Sequence, residues 1–174
     1  SLHDALPILA LEDGDQIVLF GDGSKSDDAT GLVAARLSDG FVQTIHVQHP
    51  SKGELVSRAA VDAAVVETFD RFRVVAFFFD PSHAKADDAI EDDRFWWPLV
   101  DDWHTRYSKR LRLWAIPRQH AIAFDMLKPT AQKLFQPAVS HTAEELAAGT
   151  ALHHGGARLR QHMKNARRRE GRYG

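Results

Sequence analysis

Ile17-Val18-Leu19-Phe20-Gly21-Asp22-Gly23-Ser24-Lys25-Ser26-Asp27-Asp28 is the stretch on which the reading of this chain turns. Its apolar start describes a short buried strand, and the Gly, Ser and Asp cluster behind it describes a turn. Asp22 therefore stands where a central strand runs out toward solvent. In open α/β sheets ligands gather at the carboxyl ends of the strands, which makes an acid there a candidate for chemistry. Asp-Gly is also ordinary turn chemistry, so both readings stay open on this stretch alone.

Working outward, residues 29–37 are apolar-rich and close on Ser38-Asp39-Gly40, where Asp-Gly signals a hairpin. Residues 41–48 alternate Phe41, Gln43, Ile45 and Val47 against Val42, Thr44, His46 and Gln48, the period of a strand. Three strands with short connections make an antiparallel meander, ended by His49-Pro50-Ser51. Residues 52–72 read as a long helix, with Ser51 as N-cap and Glu54 completing a capping box. Residues 73–79 are almost wholly apolar and too short for a typical helix, the mark of a fully buried strand. A helix links it to the meander, so it is expected to run parallel to the first strand. Asp80-Pro81 ends it, because Pro81 has no N–H for the ladder and holds Asp80 extended. A second acid thus ends a second central strand.

Beyond it, residues 84–109 suggest one or two helices, with Phe95, Trp96, Trp97, Leu99, Val100 and Trp103 as their apolar component and Pro98 as an interruption or a start. Residues 111–116 read as another strand, stopped by Pro117. Residues 120–139 read as helical with breaks at Pro129 and Pro137, and residues 142–152 as a short helix. Residues 157–169 are amphipathic and basic. The order β-β-β-α-β-α-β-α leaves few topologies.

The 174 residues suit one domain with a real core, and 44% hydrophobic with 26% charged residues is ordinary globular composition. No apolar run reaches membrane-spanning length. The absence of cysteine excludes disulfides and thiolate metal sites, and fits a reducing compartment. Net charge is only −2, but its distribution is uneven. Asp87, Asp88, Glu91, Asp92, Asp93, Asp101 and Asp102 crowd one stretch, and Arg158, Arg160, Lys164, Arg167, Arg168, Arg169 and Arg172 another. The basic stretch is a candidate phosphate-facing arm, whose competing reading is a solvated helix. The chain begins with Ser1 rather than Met and stops at Gly174 after that cluster, and both ends read as cuts. The first fifteen residues carry no assignment, and residues 16–174 are read as one domain truncated at its C-terminus.

A meander, a crossover helix and acids ending the first and fourth strands describe an RNase H-like fold, a mixed central sheet flanked by helices. Two-metal phosphodiester cleavage needs carboxylates to hold divalent ions about 3.5–4 Å apart. Hard ions such as Mg²⁺ take oxygen ligands, and strand ends hold such ligands more rigidly than loops.

Three pieces, in order, resemble the C-terminal nuclease domain of the phage terminase large subunit. They are Asp22-Gly-Ser-Lys-Ser-Asp27-Asp28-Ala-Thr-Gly-Leu-Val, Val74-Val-Ala-Phe-Phe-Phe-Asp80-Pro81, and the segment from Leu152-His-His-Gly-Gly to Asn165-Ala166-Arg-Arg-Arg. The resemblance implies a metal-dependent endonuclease that cuts concatemeric viral DNA during genome packaging in the host cytoplasm. It implies Asp22 and Asp80 as catalytic acids and ligands of two Mg²⁺ or Mn²⁺ ions, with Asp28 as a further ligand or a turn cap. Double-stranded DNA would meet Arg158, Arg160, Lys164, Arg167, Arg168 and Arg169. The family's third acid is expected after the Asn165-Ala166 segment, and neither Asp125 nor Glu170 sits in a matching motif. An ATPase domain, a small terminase subunit and a portal are the implied partners, with no membrane. The phosphate loop of the family's motor is not found in this sequence. Other RNase H-like nucleases (resolvases, transposases, RNA-hybrid nucleases) and a non-catalytic DNA-binding or assembly module are the alternatives.

Other features read more plainly. Trp96, Trp97 and Trp103 could stack bases, but beside Leu99 and Val100 they read as core. His153-His154 has no carboxylate or cysteine at zinc-site spacing and reads as structural or DNA-facing. His83 reads as an exposed loop residue, with a contact to a phosphate or water near Asp80 as its alternative reading.

Overall fold

The computed structural model describes residues 10–26, 28–81 and 94–157. Four strands form one sheet: β1 (Gln16–Asp22), β2 (Thr30–Arg36), β3 (Val42–Gln48) and β4 (Arg73–Asp80), in the order β3-β2-β1-β4. The first three are antiparallel neighbours, and β4 lies parallel to β1. The protein is therefore an α/β fold with a mixed sheet containing one parallel pair. The Asp39-Gly40 hairpin forms as expected: Gly40 takes φ +73° and its N–H donates to Arg36 O at 2.9 Å.

Strand alternation decides what each face carries. Ile17, Leu19, Leu32, Phe77 and Phe79 are buried on one face. Helix α1 (Arg58–Arg71) supplies Val61, Val65 and Phe69 to the same core, and α2 (Trp97–Tyr107) supplies Val100 and Trp103. Phe79 packs with Trp96 and Trp103, its ring 5.1 and 5.2 Å from theirs. Trp96 and Trp103 are fully buried and Trp97 is half-buried against the same cluster, so the core reading holds for the first two and in part for the third. Each such side chain contributes about 1.5–3 kcal/mol on burial. The other face carries Val18, Phe20, Val33 and Phe78, all half-buried, with Phe124 against Phe20 and Phe78. Leu11 also joins the core, and Gly14 N–H donates to Arg71 O.

Several expected boundaries move. Helix α1 starts at Arg58, capped by Ser57, whose side chain accepts Ala60 N–H at 3.2 Å. Ser51 instead opens a turn: Glu54 N–H donates to Ser51 O, and Gly53 adopts φ +84°, which a helix cannot accommodate. Pro98 lies in the first turn of α2, where proline's missing N–H is harmless.

The strand expected over residues 111–116 is absent. Arg112 and Leu113 both donate to Val75 O, and the chain then leaves the sheet for a turn at Pro117 with Leu113 exposed. Residues 122–124 take the place beside β4 instead. Phe79 N–H donates to Ile122 O, and Phe124 N–H to Phe79 O, a parallel bridge centred on Ala123. Residues 120–127 are thus not helical. Helix α3 (Pro129–Ala148) begins at Pro129 and runs through Pro137, absorbing the start of the short helix expected from residue 142. Of its residues only Ala131 is buried, so the carbonyl that Pro137 leaves without a donor has access to water.

Candidate functional site

Gly21, Asp22 and Gly23 are not a turn. Gly21 and Asp22 are strand residues, and neither glycine has a positive φ. A Cβ on Gly21 would lie 2.3 Å from the Phe79 ring, and one on Gly23 would lie 2.7 Å from Trp96 Nε1. The glycines are there because two core aromatics press on the backbone.

The backbone beyond Asp22 is tied down from several sides. Gly23 N–H donates to Asp80 O at 3.1 Å, extending the parallel ladder by one step. Buried Thr30 brackets Ser24, accepting its N–H at 2.9 Å and donating to its carbonyl at 3.0 Å. Trp96 Nε1–H donates to the same carbonyl at 3.1 Å. Trp96 is thus both core and clamp. Its composition-level reading as core contained no sign of the second role, which depends on where its indole N–H points.

Asp22 and Asp80 are direct register partners at the carboxyl ends of β1 and β4. Neighbouring strands lie about 4.8 Å apart, and partnered residues of parallel strands face the same side, so the two carboxylates are neighbours. The face is that of Phe20 and Phe78, opposite α1. Asp80 is buried, and its Oδ1 accepts Met126 N–H at 3.3 Å. Asp22 is exposed as a residue, although protein packs around one side of it. Its pKa is pushed up from 3.8 to about 6, first by burial of the carboxylate, then by the negative charges of Asp80 and Asp28. Such like-charge crowding disfavours two carboxylates in the absence of a cation.

Asp28 is exposed, and its Oδ1 accepts the N–H of Ala29 at 2.7 Å, the behaviour of a turn residue whose charge still reaches Asp22. Asp125 follows the segment beside β4, and its Oδ1 accepts Leu127 N–H at 2.9 Å. Among the described residues, no group of three or more His, Asp or Glu gathers as a metal cage. The donor set is a carboxylate pair, which fits a Mg²⁺-like ion that keeps waters and takes oxygen from a phosphate.

His153 and His154 lie at the opposite edge of the sheet. Val42 N–H donates to Leu152 O, His154 N–H donates to Val42 O, and His153 Nδ1 accepts Gly155 N–H. A hollow of about 90 Å³ between β3 and α1, lined in part by Thr44, Glu67, Thr68 and Arg71, is on the far face from the acids. Arg158, Arg160, Lys164, Arg167, Arg168 and Arg169, His83 and the acids at positions 87–93 lie outside the described residues. No helix among the described residues is long and apolar enough to cross a membrane.

No family model matches the chain, and no solved structure matches it. The chain is similar to the "Gene 13 protein" of Mycobacterium phage D29 and to that of Mycobacterium phage L5, 38% identical to each over 159 residues. The match covers 91% of this chain and 24% of each relative, so the chain spans about a quarter of the length of the curated relatives it matches. Both relatives are bacteriophage proteins.

Proposed function

We propose that this chain is an RNase H-like, metal-dependent DNA endonuclease domain, of the kind that forms the nuclease half of a phage terminase large subunit. The observation that carries the reading is the placement of Asp22 and Asp80 side by side on the parallel pair β1–β4, at its carboxyl end. The raised pKa of Asp22 supports it, since a divalent cation between the two acids relieves the repulsion that causes part of the shift. The phage relatives, about four times as long as the matched region, leave room for the motor domain that this reading requires elsewhere in the protein.

Asp22 and Asp80 would hold the metal through their carboxylates, which stand side by side at the strand ends. Bound Mg²⁺ or Mn²⁺ supplies activation of water and neutralisation of charge on the phosphate. The chain's own contribution is positional. The Ser24 carbonyl is clamped by Thr30 and Trp96, the Gly23 N–H is bound to Asp80 O, and both acids keep a fixed spacing. Rigid spacing of this kind limits the reorganisation needed when a phosphodiester binds.

Plasmid DNA incubated with the chain and Mn²⁺ tests the proposal. Nicking is expected, and Asp22→Asn or Asp80→Asn should each lower it by about 100-fold or more, the scale of losing metal-borne charge stabilisation. Undiminished nicking by both variants places the chemistry elsewhere. DNA binding without cleavage by the wild type, with no Mn²⁺ held at the acids, identifies a binding or assembly module. Preference for RNA–DNA hybrids over duplex DNA identifies a different RNase H-like enzyme.

A further inference from the structure

The hydrogen bond to Asp80 comes from a segment with almost no regular structure of its own. Residues 120–127 contribute only single bridges, yet they supply the N–H that meets the buried carboxylate. Two histidines frame this segment. His120 Nδ1 accepts the backbone N–H groups of Ile122 at 3.1 Å and Ala123 at 2.9 Å. His104 Nδ1, reaching across from α2, accepts Ala121 N–H at 3.0 Å. A ring nitrogen that accepts a hydrogen bond carries no proton, so the partners assign both rings as neutral with the proton on Nε2. His120 Nε2–H then donates to Asp101 at 3.2 Å, and the two imidazoles lie 4.4 Å apart. Directly downstream come the two bonds to Phe79 and the bond from Met126 N–H to Asp80 Oδ1.

We propose that His120, seconded by His104, is a positioning residue for Asp80: its neutral imidazole clips residues 121–126 against β4, and Met126 N–H thereby orients the carboxylate. That Asp80 serves a metal rests on the function proposed above, whereas the clip does not. The clip is built to fail in acid. A proton on Nδ1 turns the acceptor into a donor aimed at two N–H groups, and the bonds to Ile122 and Ala123 cannot survive it. The titratable groups acting on His120 are Asp101 and His104, both from α2, while the Trp97 ring lies edge-on to it without titrating. Burial is the largest influence and favours the neutral ring; the hydrogen bond to Asp101 opposes it, a positive charge on His104 would act with burial, and the pKa lies below 6.5. A folded-state value below the unfolded one means that the stabilisation is fully present above about pH 6.5 and is lost as pH falls through the folded value.

Amide exchange of the metal-free ¹⁵N-labelled chain tests this, with protection factors read at Ile122 and Ala123. The wild type is compared with His120→Ala and with His120→Asn, whose side-chain oxygen stands near the Nδ1 position and does not titrate. Wild-type protection at both amides should fall by about tenfold, the scale set by two lost hydrogen bonds, between about pH 7.5 and the pH at which the ring signals show His120 protonated. His120→Asn should keep its protection over that range, and His120→Ala should lack it throughout. Unchanged wild-type protection after the ring has titrated, or full protection in His120→Ala, overturns the clip. At about pH 7.5 Mn²⁺ should bind His120→Ala more weakly than His120→Asn. If exchange behaves as expected but Mn²⁺ broadens the signals of neither Asp22 nor Asp80, the metal reading fails and the clip stands.

Discussion

At the scale of the residue, the most informative group is Asp22. A carboxylate placed beside Asp80 and partly enclosed by protein binds its proton more tightly than it would in the unfolded chain, and its pKa rises to about 6. The stabilisation linked to that proton is present below 3.8, the ordinary value, and is lost as pH rises through about 6. Asp22→Asn removes the linkage. In chelator at fixed ionic strength, thermal melts should therefore show Asp22→Asn more stable than the wild type above about pH 6, with the gap closing toward pH 4. Adding Mn²⁺ should reverse the order above pH 6, because only the wild type gains from the ion. Melts that differ by the same amount at every pH would show that Asp22 is not held next to its neighbour's charge. Both acids were legible from the sequence because each follows an apolar run that declares its own strand. Trp96 as a clamp and His120 as a clip were not, since an indole N–H or an imidazole nitrogen gains its role from what lies opposite it in space.

At the scale of the element, the strand-to-loop passage at residues 21–24 carries the tightest packing near the acids. Gly21 and Gly23 look like turn residues in sequence, yet their φ values are unremarkable and their hydrogens face aromatic rings. Gly23→Ala should cost about 1–3 kcal/mol in denaturant unfolding, the range for forcing an extra methyl into a packed core. It should also loosen the Trp96 bond to Ser24 O, visible as a shift of the indole N–H resonance. A Gly23→Ala protein as stable as the wild type would mean that Phe79 and Trp96 do not press on this backbone. Element ends were the least legible part of the sequence. Ser51 and Ser57 both precede helix-compatible runs, and the left-handed Gly53 between them decided for Ser57. The apolar run at 111–116 resembled a strand, but the edge of β4 was taken by residues 122–124, whose Phe124 could also cover Phe20 and Phe78.

At the scale of the whole molecule, the order β3-β2-β1-β4 puts the two acid-bearing strands together and leaves the histidine pair at residues 153–154 on the opposite edge. Burial is concentrated on β1, β2, β4, α1 and α2, whereas α3 buries one residue and displays Leu134, Phe135 and Val139. Amides of β1 and β4 should accordingly exchange slowest and those of α3 fastest, with opening of α3 leaving the strand pair closed. Exchange of α3 at the same rate as β4 would show that the helix unfolds only with the domain.

The chain's local patterns were enough to establish the four strands β1–β4, the hairpin, the crossover and the two acids at strand ends, because period-two alternation and apolar runs are properties of neighbours in sequence, but the same kind of pattern at 111–116 produced no strand. Which segment flanked β4, why Gly21 and Gly23 must be glycine, and which histidines hold the Asp80 loop were settled by contacts between residues far apart in the chain. Those contacts compete for one sheet edge, one aromatic cluster and one buried carboxylate, and a competition of that kind is resolved only when all the claimants are brought into the same space.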